Sequence, residues 1–189
     1  MKNVLDFIAE AGMLKRVKRS GWWMVGVPFE ENVASHSFRC AVIGYVLAKM
    51  EGTDPYKVLI MTLFNDIHEA RINDSHKVAH RYIDVRSAEK KAFADQVENL
   101  DDKIKGDLDA CRKEHDTQET PESLVARDAD ILECLIQAKE YVDLKFSNAE
   151  KFFKKAPDHL KTKSAVELWK QAQEWDSNKW WENLGQFDR

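Results

Sequence analysis

Residues 54–69, DPYKVLIMTLFNDIHE, carry the clearest indication of how this chain folds. Asp54 followed by Pro55 is typical of a helix start, because an Asp side chain caps free backbone amides and Pro fits the first helical position. Apolar side chains then occupy nearly every face of the predicted helix. Since a helix that is apolar on all sides lies inside a domain, we expect this segment to form the central helix.

Four polar or ionisable residues interrupt this apolar helix, in the sequence Asn65-Asp66-Ile67-His68-Glu69. Residues three and four apart share a helix face, so Asn65, His68 and Glu69 would lie together, with Asp66 roughly 100° away at the edge of the same cavity. A buried carboxylate needs a partner or a metal ion, since burying an isolated charge is costly. The sequence therefore indicates a polar or metal site in the core.

Two further polar clusters lie on other apolar helices, Ser35-His36-Ser37 and Arg127-Asp128-Ala129-Asp130. Carboxylates together with one or two imidazoles suit Mn, Mg, Co, Fe or Zn, with open positions for water. His36 taken alone is also typical of a helix cap or a core histidine, and Asp130 alone is typical of a hydrogen-bond acceptor. Because the three clusters lie on three different helices, a shared metal site is as well supported as these separate structural roles.

Apolar residues recur at helical spacing almost throughout the chain. Only 7 Gly and 4 Pro occur among its 189 residues, too few for the tight turns of a sandwich or barrel. We predict an all-α, single-domain fold over 1–189 with about seven or eight helices, a motif-bearing part over 10–142 and a helical extension over 150–189. The predicted helices cover 4–17, 32–50, 54 to the break at 73–75, 87–100, 103–113, 120–141 and two segments within 152–187, and the stretch 20–28 separates the first two.

Charge and cysteine content exclude several classes of protein. The chain has 29 Lys and Arg against 33 Asp and Glu, a formal net charge of −4, which argues against a nucleic-acid polymer as partner. Cys40, Cys111 and Cys134 lie far apart without CxxC spacing, so we expect free thiols rather than disulfides or a structural zinc site. The N-terminus has no apolar signal region, and no run approaches the roughly 18 apolar residues of a spanning helix, which predicts a cytoplasmic protein without membrane contact.

Four motifs occur in order within residues 10–142: LKRVKRSGW at 14–22, ENVASHS at 31–37, NDxxExxxxD at 65–74 and RDAD at 127–130. Together they resemble the HD-domain phosphohydrolases, and the first two are specific to the 5′-deoxynucleotidase branch of that family. The resemblance implies an all-α HD-domain fold and a phosphohydrolase that depends on a divalent metal ion.

The family holds one divalent ion with a His, an adjacent His-Asp pair and a distant Asp. By resemblance, these ligands are His36, Asn65, Asp66 and Asp130. Asn65 is a departure, because a carboxamide replaces the family's imidazole and binds first-row metals only weakly. We therefore expect weaker metal binding or a shift in metal preference toward Mg or Mn. Two alternatives remain: His68 supplies an imidazole in place of Asn65, or Asn65 marks an altered site. The expected ions are Mn, Co and Mg, with Zn, Fe and Ni as further candidates.

The resemblance also implies the catalytic groups. Glu69 corresponds to a carboxylate that transfers protons, and Asp74 to an acid that orients the attacking water. Arg19 corresponds to the phosphate-binding arginine, since a guanidinium offers paired donors to phosphate oxygens. Trp22 is expected to form an aromatic wall for the substrate, with core packing as its alternative, and core packing is favoured for Trp23.

Two features lie outside these motifs. His76 and His80, with Lys77 and Arg81 beside them, predict a basic rim for an anionic substrate or a solvated surface. The aromatic segment over 169–187 either closes the core or joins copies of the chain, and we expect a homodimer or higher homo-oligomer.

The expected function is hydrolysis of the phosphomonoester of (deoxy)nucleoside 5′-monophosphates, with a small-molecule nucleotide as the partner. The alternative is an HD-fold protein that binds nucleotide with impaired or lost catalysis, because Asn65 stands where the family has a metal-binding His. An oligomeric helical scaffold explains the three polar clusters less well.

Overall fold

A computed structural model describes residues 2–182 and 184, and helices form almost all of the regular structure in them. The α-helices of these residues are α1 Lys2–Met13, α2 Ser20–Met24, α3 Val33–Glu51, α4 Pro55–Phe64, α5 Glu69–Ile72, α6 Val85–Val97, α7 Asp102–Thr117, α8 Pro121–Asp143 and α9 Lys163–Glu174. Short 3-10 helices lie at Ala79–Arg81, Ser147–Lys154 and Ala156–His159. The prediction of an all-α fold is confirmed.

Helices α3, α4 and α8 pack against one another at the centre of the domain. Val58 and Met61 of α4 are buried there, as expected for the central helix. Gly44 of α3 lets the two helices approach closely, because a Cβ at this position would lie 3.0 Å from side-chain carbons of Val58 and Thr62. These three helices form the frame that carries the polar clusters.

The buried carboxylate of Asp128 fastens α9 to α8. Its oxygens accept hydrogen bonds from the backbone N–H groups of Lys161 (2.9 and 3.0 Å) and Thr162 (2.6 Å), and from the Thr162 hydroxyl (2.7 Å). Thr162 in turn caps the first turn of α9 by accepting from the Ala165 amide. Asp128 therefore has a structural task, although it belongs to the same sequence cluster as Asp130.

Helix α4 ends at Phe64, earlier than predicted. The amides of Ile67 and Glu69 bond to carbonyls three residues back instead of four, so the chain tightens into turns before α5 begins. Arg112 of α7 donates to the carbonyl of Asn65 at 2.9 Å and so occupies an acceptor at the helix end. The polar cluster therefore lies at a junction of two helices, rather than on one face of a continuous helix.

The structure describes seven α-helices of ten or more residues within 2–182 and 184, in agreement with the predicted number. Helix α2 lies within the stretch 20–28, where no helix was predicted. The C-terminal extension begins with 3-10 helices and continues as α9, and the last part of the aromatic segment, including Phe187, lies outside the described residues. None of the helices in the described part of the chain is long and apolar enough to cross a membrane.

Candidate active site

His36 lies where the three predicted clusters meet. Its imidazole is 1% exposed on α3, and its Nε2 lies 3.0 Å from Oδ1 of Asp130 on α8 and 3.4 Å from Oδ2 of Asp66, which follows α4. The side chain of Asp130 is 37% exposed, so the group opens toward solvent on that side. Three polar clusters that are far apart in sequence are therefore one site in space.

The opposite edge of the imidazole contacts Glu133, a fully buried carboxylate one turn beyond Asp130. Nδ1 of His36 forms a short hydrogen bond with Oε2 of Glu133, and Arg39 donates to Oε1 of the same carboxylate at 2.9 Å. Arg39 also binds Glu140 through a hydrogen bond of 2.7 Å. A carboxylate at one ring nitrogen fixes the tautomer and directs the other nitrogen toward the site.

The electrostatic field at His36 is dominated by carboxylates. Burial lowers the pKa of His36 and the Arg19 cation lowers it further, yet hydrogen bonds to Asp130, Asp66 and Glu133 outweigh both and raise it well above its usual value. For Asp66, burial raises the pKa, but His36 and Arg19 together lower it well below its usual range. The neighbouring carboxylates therefore favour the protonated form of the His36 imidazole.

Arg19 brings a permanent positive charge to this acidic group. It precedes α2, and its Nη1 lies 3.6 Å from Oδ2 of Asp66. The next residue, Ser20, donates from its backbone N–H and from its hydroxyl (2.8 Å) to Oδ2 of Asp74. The turn that carries Arg19 is thereby bonded to the segment that follows Glu69 and α5.

Glu69 opens α5 as a buried carboxyl group with an unsatisfied oxygen. Among the described residues, its Oε2 has no hydrogen-bond partner. Burial raises the pKa of Glu69 well above its usual value, and the negative charges of Asp66 and Asp74 raise it further. A buried polar atom without a protein partner is available to an ion, a water molecule or a ligand. Glu69 is therefore suited to hold a proton beside the acidic group.

Asn65 occupies the position where the family motif has an imidazole. Its amide donates to Oδ1 of Asp66 at 2.8 Å, so it orients that carboxylate. His68 was the alternative imidazole, but its Nδ1 lies 3.1 Å from Nη1 of Arg112 and its Nε2 lies 3.8 Å from Glu89 of α6. The structure therefore places the ring of His68 between Glu89 of α6 and Arg112 of α7.

Trp22 lies beneath the Arg19 turn and is only 1% exposed. Its ring packs on Tyr141 and Phe152 at centroid distances of 5.1 and 4.6 Å, and its Nε1 donates to Glu31 at 3.0 Å. This burial matches the core packing given as the alternative for Trp22, rather than an aromatic wall for the substrate. The exposed aromatic residue is its neighbour Trp23, which is 55% exposed and for which core packing was favoured.

The two histidines of the expected basic rim lie around the 3-10 helix at Ala79–Arg81. Nδ1 of His76 accepts from the Ala79 amide at 3.2 Å, and Nε2 of His80 lies 2.8 Å from the Ser75 carbonyl. The ring of His76 also meets Trp23 edge-on, at a centroid distance of 5.5 Å. These contacts place His76 beside the Arg19 turn, while both rings stabilise local turns.

The donor set fits a divalent metal ion. His36, Asp66 and Asp130 offer one imidazole nitrogen and carboxylate oxygens, and the unsatisfied oxygen of Glu69 lies in the same acidic field. Such mixed nitrogen and oxygen ligands suit Mn, Co, Zn or Fe, and the carboxylates also suit Mg. Sequence reasoning missed Glu133 and Arg39, although an ionisable residue between the apolar Leu132 and Leu135 was a usable signal for Glu133.

Comparisons with known proteins agree with this arrangement. A family model described as "HD domain" matches residues 11–172. The 5′-deoxynucleotidase HDDC2 of Dictyostelium discoideum is 30% identical over 151 residues, which cover 75% of this chain and 78% of that protein. The solved structure of a conserved hypothetical protein from Pyrococcus furiosus has a TM-score of 0.75 at 32% identity and covers 90% of this chain and 99% of its own.

A structure from Magnetospirillum magnetotacticum, described as a predicted metal-dependent phosphohydrolase, shares the fold with a TM-score of 0.71 at 21% identity, over 92% of this chain and 90% of its own. The region matched by the family model includes every site residue described above, from Arg19 to Glu133. HD-domain phosphohydrolases use a divalent metal ion, in agreement with the donor set around His36. This chain belongs to the HD-domain family of metal-dependent phosphohydrolases and is a distant relative of the 5′-deoxynucleotidases.

Proposed function

We propose that this chain hydrolyses the phosphomonoester of (deoxy)nucleoside 5′-monophosphates with one divalent metal ion. The observation that carries the proposal is Arg19, whose guanidinium lies 3.6 Å from the Asp66 carboxylate that borders His36. A guanidinium in this position can bind phosphate oxygens and stabilise the charge of the transferring group beside the metal ligands. The relation to 5′-deoxynucleotidases supports a nucleotide as the substrate.

In this proposal His36, Asp66 and Asp130 hold the ion, and Asn65 orients Asp66 through its amide. When bound, the ion supplies a polarised phosphoryl oxygen and a more acidic water. Glu133 keeps the imidazole of His36 in one orientation throughout. Mn, Co and Mg are the first ions to test, followed by Zn, Fe and Ni.

Two acidic residues have the remaining roles, proton donation and orientation of the attacking water. Glu69 holds a proton because its pKa is raised, and it can give that proton to the 5′-oxygen as the bond to phosphorus breaks. Asp74 is fixed by the two donors of Ser20 and orients the attacking water with its carboxylate. Neighbouring carboxylates raise the pKa of the Arg19 guanidinium despite its burial, so Arg19 stays charged. Its positive charge binds the phosphate of the substrate.

The second candidate function is nucleotide binding with impaired or lost hydrolysis. Asn65 favours this alternative, because its amide is bonded to Asp66 and offers no imidazole nitrogen to a metal ion. In that case Arg19 would still bind phosphate. A weakly held ion would leave the attacking water unactivated.

Phosphate release distinguishes the two functions. The purified chain is incubated with deoxy- and ribonucleoside 5′-monophosphates and with each candidate ion, beside Asn65→His and the control Asn178→His, which adds an imidazole at an exposed position. We expect turnover by the unmodified chain, and a higher rate in Asn65→His alone if the ligand set is limiting. Nucleotide binding by calorimetry without turnover in any variant would establish the second function and contradict the first.

A further inference from the structure

A thiol lies close to the imidazole of His36. Cys40 follows His36 by four residues on α3, so the two side chains share a helix face. The ring of His36, the sulfur of Cys40 and a carboxylate oxygen of Asp130 all lie within 4.8 Å of one another. Cys40 is 2% exposed and lies where the apolar core meets the acidic group. We call these three residues the thiol group.

This chain has the thiol group and also lacks the family's metal-binding imidazole, because position 65 is Asn. The amide of Asn65 is already bonded to Asp66 at 2.8 Å, and an amide oxygen is a weak ligand for first-row metals. A thiolate is a strong ligand for Zn and Co and a poor one for Mg. The sulfur of Cys40 could therefore take the place of the missing imidazole as a softer metal ligand.

We propose that Cys40 is a metal ligand in this chain, together with His36 and Asp130, and that it makes the site selective for a thiophilic divalent ion such as Zn. This inference rests on the metal site of the proposed function but not on the reaction. A thiolate ligand would reverse the shift in metal preference toward Mg or Mn that is expected from Asn65 alone. Binding breaks the S–H bond, forms an S–metal bond and releases one proton to water, with no change of oxidation state.

Cys40 lies between the apolar core and the carboxylates around His36. A dication bound to Asp130 would reverse the local field, because a metal ion is the largest charge in such a site. The carboxylates around His36 would therefore recruit the ion to which the sulfur of Cys40 binds.

Two other cysteines provide matched controls. Cys134 lies one turn beyond Asp130 on α8, and burial raises the pKa of its thiol to about 12. It packs in a different apolar cluster with Trp22, and the thiol group does not include it. Cys111 lies on α7 and is partly exposed. A spectroscopic effect specific to Cys40 would therefore not be mimicked by the loss of another thiol.

The test uses the full chain reconstituted with Co(II), with Cys40→Ala, Cys134→Ala and Cys111→Ala as variants. We expect a near-ultraviolet thiolate-to-cobalt absorption in the unmodified chain and in both controls, and its loss in Cys40→Ala with Zn affinity weaker by about tenfold or more. An absorption that persists in Cys40→Ala, or is absent from the unmodified chain with cobalt bound, would overturn the proposal.

X-ray absorption at the zinc edge of the unmodified chain makes the test independent of how the variants fold. We expect one sulfur at about 2.3 Å among nitrogen and oxygen ligands at about 2.0–2.2 Å. A first shell without sulfur would refute the proposal even if Cys40→Ala failed to fold. Because neither measurement depends on turnover, a protein that binds Zn through Cys40 but hydrolyses no nucleotide would contradict only the proposed function.

Discussion

The hydroxyl of Ser20 donates a 2.8 Å hydrogen bond to Oδ2 of Asp74, and the Ser20 backbone amide donates to the same oxygen. Fifty-four residues separate the two in sequence. The bond connects the turn that carries Arg19 to the segment behind Glu69, so the group expected to bind phosphate and the groups expected to move protons are held at a fixed separation.

Ser20→Ala should therefore affect activity more than stability. Loss of one hydrogen bond lowers the free energy of unfolding by about 1 kcal/mol, while the backbone bond to Asp74 remains. We expect kcat to fall several-fold in a phosphate-release assay. Ser177→Ala is the matched control, because it removes a hydroxyl bond of 2.8 Å to Asp143. Equal activity in the two variants would show that the Ser20 bond does not serve the site.

Glu133→Gln should weaken metal binding. The substitution keeps the shape of the side chain but removes the negative charge that faces Nδ1 of His36. Changes in groups that orient metal ligands cost about 10–100-fold in affinity, which calorimetric titration with Zn or Mn can measure. Glu140→Gln is the control, since Glu140 binds the same Arg39 without touching His36. Unchanged affinity in Glu133→Gln would rule out this orienting role.

Arg19→Lys should raise KM and lower kcat/KM by about tenfold or more, because an ammonium cannot replace the paired donors of a guanidinium. The comparison is Arg71→Lys, which alters a bidentate pair with Glu10 of α1 (2.7 and 2.8 Å). If Arg19→Lys retained full kcat/KM for nucleotides, a phosphate-binding role for Arg19 would be excluded.

In the metal-free protein, the stabilising contribution of Glu69 should fall as pH rises above 4.5, the usual pKa of a Glu carboxyl. The folded state raises the pKa of Glu69, so it binds more protons than the unfolded chain, and stability falls through the interval up to the raised value. His36, whose pKa is also raised, adds a loss of the same sign above 6.5. Thermal unfolding in chelator across this range measures the sum.

Glu69→Gln removes the first of these two contributions. We expect a flatter dependence of Tm on pH than in the unmodified chain, and a fall in kcat of about 10²–10⁴ because the proton donor is gone. Glu119→Gln, at an exposed position, should leave both quantities unchanged. A pH dependence in Glu69→Gln identical to that of the unmodified chain would contradict the raised pKa of Glu69.

The helices could be predicted from sequence because each has its own apolar periodicity. The cap at Asp54 and the burial of Val58 follow from local chemistry and appear as expected. The early end of α4 could not be predicted in this way, since the group that occupies the Asn65 carbonyl is Arg112, 47 residues away. Helix α2 is five residues long and gives no periodic signal of its own.

The site was predictable where a motif names residues and less so where packing selects them. His36, Asp66 and Asp130 were each chosen from sequence, and the structure brings them together. The side of α8 that faces His36 gives Glu133 its role, and Cys40 gains a carboxylate neighbour only where Asp130 approaches, so both depend on how α3 and α8 pack. Packing also decides that Trp22, expected beside the substrate, is buried, and that Trp23, expected in the core, is exposed.

Asp128 and Asp130 show that one helix serves two neighbours at once. Two residues apart on α8, the first satisfies the start of α9 and the second faces His36. Removing the chain from Lys161 onward, with α9, would leave the Asp128 carboxylate without its three donors in the helix that carries Asp130. The smallest piece of this chain that can be shortened, fused or transplanted with its chemistry intact therefore extends well past the last recognisable motif.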